Sequence, residues 1–112
     1  MDLEFTDLQH ELRDTVRAVL EQACPPALVR GIHEGTADGS ALWDTAVGLD
    51  WPALGLPEPV GGLGLGPVEV GVLVEELGRV VAPGPLLCTL TQFVPLVLAT
   101  GSSRCLPEVA AG

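Results

Sequence analysis

The chain is 112 residues long, with five arginines, no lysine and 15 acidic residues, for a net charge of -10, and 47% of it is hydrophobic. That length fits one small domain and excludes separate cofactor and substrate domains within this sequence. Arg13, Arg17, Arg30, Arg79 and Arg104 are well spread and make no basic patch, which argues against nucleic acid and anionic membrane surfaces.

Met1-Asp2-Leu3-Glu4 opens acidic where a secretory signal is basic and then apolar, so a cytoplasmic protein with reduced thiols is expected. Thr6 and Gln9 have capping-box spacing, in which the hydroxyl accepts the third helical amide and the Gln side chain reaches back. Leu8, Leu12, Val16, Val19 and Leu20 then recur at helical steps, with Glu11, Arg13, Asp14, Arg17 and Glu21 on the other side. This predicts an amphipathic helix of about four turns, ended by Pro25-Pro26. Pro26 starts a short second helix through Ala27, Leu28, Val29 and Ile32. Gly35 to Gly39 reads as a polar loop. Ser40 reads as the cap of a third helix carrying Leu42, Trp43, Ala46, Val47 and Leu49, and Trp51 to Leu56 as a buried connection.

Pro57 to Gly66 is turn-forming, and Pro67 starts a helix with Val68, Val72, Leu73, Glu75, Glu76 and Leu77, continuing to Val80 and Val81. Ala82-Pro83-Gly84-Pro85 breaks it. Leu86, Leu87, Leu90, Val94, Val97 and Leu98 repeat at helical spacing in a final long helix, bent at Pro95 and ended by Gly101-Ser102-Ser103. No strand alternation of useful length occurs, so the predicted fold is all-α, a bundle of five to six helices.

Val80 to Ser103 carries no charge, but the Pro83-Gly84-Pro85 break leaves a continuous helix of about 15 residues, short of the roughly 20 that cross a bilayer. No membrane span is expected. Such a helix needs apolar partners on most sides. Gly61-Gly62-Leu63-Gly64-Leu65-Gly66 opens a helix, yet Pro67 stands where a dinucleotide fingerprint needs glycine, and no lysine exists for a phosphate loop. A turn using positive φ is the better reading. Glu75 and Glu76 lie about 100° apart on a helix and cannot converge as a carboxylate dyad. They read as a solvated face, with Arg79 pairing weakly to Glu75. His10 and His33 read as surface side chains, and Cys88 as a small buried apolar group. Cys24, Cys88 and Cys105 have neither disulfide nor zinc spacing. No catalytic, cofactor-binding or metal residue is assigned.

The segments M-D-L-E-F-T-D-L-Q-H-E-L-R-D-T-V-R, A-L-W-D-T-A-V-G-L-D-W, L-P-E-P-V-G-G-L-G-L-G, V-E-V-G-V-L-V-E-E-L-G-R and L-P-E-V-A-A-G follow one another in this order and cover essentially the whole sequence. Together they resemble the N-terminal helical domain of the acyl-CoA dehydrogenase family. The A-P-G-P break resembles actinobacterial members, including those linked to steroid side-chain breakdown. The resemblance implies an FAD enzyme that oxidises the α,β bond of an acyl-CoA thioester in lipid or steroid catabolism. In that family a middle β domain and a C-terminal helical domain follow, and both are expected to be absent from residues 1–112. The glutamate base and the flavin contacts belong chiefly to those parts and to a neighbouring subunit, so FAD is expected to be held outside this chain.

The resemblance also implies partners: the acyl-CoA substrate, and the remaining dehydrogenase domains or a partner dehydrogenase subunit, in a homo- or hetero-oligomer. It places Leu87, Leu90, Thr91 and Val94 along one stripe as candidates for the acyl-pocket wall, against the alternative of plain core. Three departures stand out. The link from Gly101-Ser102 to Leu106-Pro107 is short by close to one helical turn, Pro59 and Val60 replace a common Glu and aromatic, and Gly48 interrupts the third helix at a cost of about 1 kcal/mol relative to alanine. These fit a non-catalytic interaction module or degenerate subunit as well as a working enzyme.

Overall fold

Local chemistry fixes most helix starts. In the computed structural model, which describes residues 3–112 and leaves Met1 and Asp2 of the acidic opening run outside the described residues, α1 spans Asp7–Ala23. Its capping box is complete: the Gln9 amide donates to Thr6 Oγ1 at 3.3 Å and the Thr6 amide to Gln9 Oε1 at 3.0 Å. Pro26 opens α2 (Pro26–His33) and Pro67 opens α4 (Pro67–Arg79), each at a first-turn position where a missing amide costs nothing.

The start of α3 (Ser40–Gly48) corrects the sequence reading. Ser40 is the first helical residue, not the cap, and Gly39 holds the cap position without a side-chain bond. The capping oxygen comes from Asp38, which accepts the Ser40 amide at 2.9 Å and the Ser40 hydroxyl at 2.5 Å. Those bonds hold the Asp38 carboxyl below its ordinary pKa, the hydroxyl contributing most. Gly48 has open space around its Cα, so packing does not demand glycine there.

Trp51–Ala53 and Glu58–Val60 are single 3₁₀ turns, the first fully buried. The glycine-rich segment folds back onto them. Amides of Leu63, Gly64 and Leu65 donate to the carbonyls of Ala53, Leu56 and Leu54. A Cβ on Gly62 would lie 1.9 Å from the Leu56 carbonyl oxygen, so only glycine permits this approach.

The last long helix is one continuous run with a changed pitch. It begins as α5 (Leu86–Cys88), widens into a π-helical segment over Thr89–Phe93 and resumes as α6 (Val94–Ala99). The wide turn stands just before Pro95, whose ring would press on the Thr91 carbonyl in a regular α-helix. A further short helix, α7 (Leu106–Ala111), lies in the Leu-Pro-Glu-Val-Ala-Ala segment, which is too short for periodicity to disclose it.

The architecture is all-α, as expected, and among the described residues there is no strand. The main core joins Val16, Leu20 and Cys24 to Leu42, Ala46, Trp51, Leu73, Leu77, Leu86 and Leu90. A smaller core of Leu56, Val94 and Leu106 seats α7 and the end of the long helix. No helix is long and apolar enough to cross a membrane among the described residues. The radius of gyration is 14.5 Å, against about 13 Å for a compact chain of this length. The accessible surface is 6863 Å², about 1,000 Å² more than the roughly 5,800 Å² of a compact monomer of this mass.

Candidate functional site

Residues 86–99 carry the four positions expected to share a stripe, and the structure divides them. Leu90 and Val94 are buried, in the main and the smaller core respectively. Leu87 and Thr91 are exposed, and the Thr91 hydroxyl donates to the Leu87 carbonyl at 2.7 Å, which returns that polar group to the helix. The division follows from the π segment, because an extra residue in the turn rotates the positions after it relative to those before. Cys88 is corrected by the same geometry: it is exposed, not buried. Phe93, Leu96 and Leu98 add to the exposed apolar surface of this run.

Beside Leu87 a cleft of about 190 Å³ opens between α3, the end of α4 and the start of α5. Trp43, Trp51, Leu77, Val81, Pro83 and Leu87 are among its walls. This is smaller than the roughly 300–1,000 Å³ of a complete ligand pocket, so the cleft accommodates part of an apolar group. Val81 is its unusual wall. It occupies the left-handed region at φ 53°, where the Val81 amide donates to Gly78 and the Ala82 amide to Leu77. That is a Schellman ending, in which glycine is usual. A β-branched side chain there costs about 1–2 kcal/mol.

On α4, ahead of that turn, lies a charged cluster that differs from the sequence expectation. Glu76 is 1% exposed, not on a solvated face. Its carboxylate accepts two bonds from Arg17, at 3.0 and 2.6 Å, and one from Arg79 Nε at 2.9 Å. Arg79 therefore pairs with Glu76, and at 3.8 Å with Glu21, in place of the Glu75 pairing expected from spacing. The Arg17 bonds hold the Glu76 carboxyl below its ordinary pKa against the opposing effect of burial. Near the other end of α1, Gln9 Nε2 donates to Glu69 Oε1 at 2.8 Å. These links fix α1 and α4 side by side and parallel. Arg17 lies 59 residues from Glu76, so no local pattern could have disclosed the pair.

The glycine-rich loop offers no anion cradle. Amides of residues 61 to 65 all donate to carbonyls of residues 53 to 58, and Glu69 places a carboxylate in the first turn of α4. A free-amide nest is what a phosphate group requires, so these residues do not fit a dinucleotide pyrophosphate. No cluster of three or more His, Cys, Asp or Glu suited to a metal occurs among the described residues. His10 is exposed, with its ring edge-on to Phe5 at 5.6 Å. Cys24 is buried, which pushes its thiol pKa up.

Comparison with known proteins agrees with the all-helical fold. A family model described as acyl-CoA dehydrogenase, N-terminal domain, matches residues 6–112. The chain is 34% identical over 106 residues to acyl-CoA dehydrogenase IpdE2 of Mycobacterium tuberculosis, covering 90% of this chain and 33% of that protein. Its counterpart from Mycolicibacterium smegmatis is 36% identical over 105 residues, with the same coverage. Acyl-CoA dehydrogenase FadE28 of Mycobacterium tuberculosis is 33% identical over 116 aligned positions, covering 100% of this chain and 29% of that one. The chain thus spans about a third of the length of these relatives. No solved structure matches it.

Proposed function

This chain belongs to the acyl-CoA dehydrogenase family through its N-terminal domain, and we propose that it works as that domain in an FAD-dependent enzyme desaturating the α,β bond of an acyl-CoA thioester. Its share of the work is a wall of the acyl pocket and a packing face for the other domains or a partner subunit. Leu87 and Thr91 form the wall surface, with Leu90 and Val94 behind them as its support. The observation that carries this reading is the uncharged helix of residues 86–99, which leaves Leu87, Phe93, Leu96 and Leu98 exposed. An excess surface of about 1,000 Å² over a compact monomer is close to one partner's share of a standard interface, roughly 800 Å².

FAD supplies the oxidising power when bound to such an enzyme. The glycine-rich loop has its amides 61 to 65 already engaged and does not fit the pyrophosphate, and the family resemblance assigns the flavin contacts and the proton-abstracting glutamate chiefly to other domains and a neighbouring subunit. The chain's own contribution is exclusion of water and shaping of the space around the acyl tail. The test is a Leu87→Trp variant of the complete protein, assayed with a series of acyl-CoA thioesters and an artificial electron acceptor. A preference moved toward shorter acyl groups at unchanged flavin content supports the wall. An unchanged chain-length profile overturns it, and a complete protein without flavin or acyl-CoA oxidation favours a non-catalytic packing module.

A further inference from the structure

On the opposite side of Val81 from the apolar cleft lies a second, larger recess that the acyl-wall reading does not use. It measures about 630 Å³ and runs between α2 and the ends of α1 and α4. Arg30, His33 and Arg79 line it together with Glu21, over an apolar floor that includes Val29 and Val80. In a chain of net charge -10 with five Arg and two His, three of those seven side chains converge here from two helices. Arg13 is neutralised by Asp14 at 2.8 Å and Arg17 by Glu76 at 2.6 Å. Arg30 makes no ion pair among the described residues, and Arg79, whose Nε is held by Glu76 at 2.9 Å, meets Glu21 with an outer nitrogen at 3.8 Å. Arg30 is therefore the guanidinium of this recess that no carboxylate compensates among the described residues.

We propose that this recess binds an amphipathic anion, a carboxylate or phosphate head attached to an alkyl tail. Arg30 takes the head, since a guanidinium offers paired donors matched to such oxygens. Arg79 contributes its outer nitrogen, displacing the long contact with Glu21. The tail lies along Val29 and Val80 toward Val81, the residue that also walls the apolar cleft. The site is separate from the acyl wall on residues 86–99, and its occupancy does not depend on the flavin.

The test is a titration of the full chain, followed by amide and arginine side-chain chemical shifts, with sodium octanoate, octyl phosphate, inorganic phosphate and octanol. Saturable shifts confined to residues 29–33 and 79–81 with octanoate or octyl phosphate are expected, and the stronger of the two identifies the head group. Inorganic phosphate and octanol are each expected to bind at least about tenfold more weakly. Arg30→Gln is expected to weaken the octanoate response about tenfold, with an unchanged circular dichroism spectrum because Arg30 is exposed. Octanol binding as well as octanoate, equal affinity in Arg30→Gln, or no saturable shift at these residues each overturns the site. The Leu87→Trp assay reads a different helix, so failure of one proposal leaves the other standing.

Discussion

The α1–α4 pair and the helical run 86–99 are built from similar apolar residues but meet opposite fates. Between α1 and α4, apolar side chains such as Val16, Leu20 and Leu73 are buried, and polar side chains find partners: Gln9 with Glu69, and Glu76 with Arg17 and Arg79. Along 86–99, Leu86, Leu90 and Val94 are buried while Leu87, Phe93, Leu96 and Leu98 remain in solvent. The first region is complete within this chain. The second carries hydrophobic surface beyond what the chain's own core can cover, which a partner domain or ligand would remove from water.

The largest contrast comes from truncating one leucine in the complete region. Leu73 is 0% exposed in the main core, so Leu73→Ala is expected to cost about 3 kcal/mol through lost burial and the cavity left behind. Denaturant unfolding of the full chain measures it. A cost below about 1 kcal/mol would mean that the α1–α4 core is loosely packed, and the contrast with 86–99 would collapse.

Glu76 sharpens the same contrast electrostatically. Glu76→Gln keeps the volume but removes the charge accepted by Arg17 and Arg79, and is expected to cost about 1.5 kcal/mol, moderated by the partial solvation of both arginines. The pH dependence has a definite sign. The Arg17 bonds depress the folded-state pKa of Glu76 below its ordinary value of about 4.5. The stabilisation is therefore fully present above about 4.5 and is lost as pH falls through the depressed folded value. Asp38 and Glu69 are depressed in the same direction, by bonds from Ser40 and Gln9. Acid titration of stability should fall less steeply in Glu76→Gln than in the parent chain, and equal slopes would show that the cluster contributes nothing to acid sensitivity.

These two regions also differ in how far sequence discloses them. Features governed by neighbours within four residues are legible: the Thr6–Gln9 box, the proline starts at Pro26 and Pro67, and the all-α class. The glycine-rich segment is legible as a turn because Pro67 breaks the fingerprint spacing. Glu76 was hidden because its burial depends on Arg17, brought alongside by tertiary packing. The Ser40 cap is displaced by one position: Gly39 takes the cap place, and Asp38 accepts both the amide and the hydroxyl of Ser40. In 86–99, a fixed helical period grouped Leu87, Leu90, Thr91 and Val94, whereas the π segment before Pro95 divides them into two buried and two exposed positions. A period can locate an apolar helix but not a change of pitch inside it.

Val81 stands where the two regions join, and it tests whether the junction itself stores strain. At φ 53° and 69% exposed, its side chain loses little contact when removed. Val81→Gly relieves about 1–2 kcal/mol of left-handed strain and returns about 0.5–1 kcal/mol through greater unfolded-state entropy. The net expectation is a gain of about 0.5–1 kcal/mol, seen as a rise in melting temperature. A loss of stability instead would show that Val81 packs productively at the cleft.

The smallest stability effect belongs to Leu96, the counterpart of Leu73 in the incomplete region. It is 66% exposed, and Leu96→Ser is expected to change the chain's own stability by no more than about 0.5 kcal/mol. What should change is behaviour that depends on exposed apolar surface. Binding of an environment-sensitive hydrophobic dye by the chain should fall, and self-association at high concentration should weaken, because the serine removes apolar area from the unpartnered face. If Leu96→Ser destabilises the chain as much as Leu73→Ala does, residues 86–99 are already closed by their own fold. If dye binding is unchanged while stability is also unchanged, the exposed face lies elsewhere. Only near-neutral stability combined with reduced dye binding is consistent with a helix whose apolar side is completed by something other than residues 3–112.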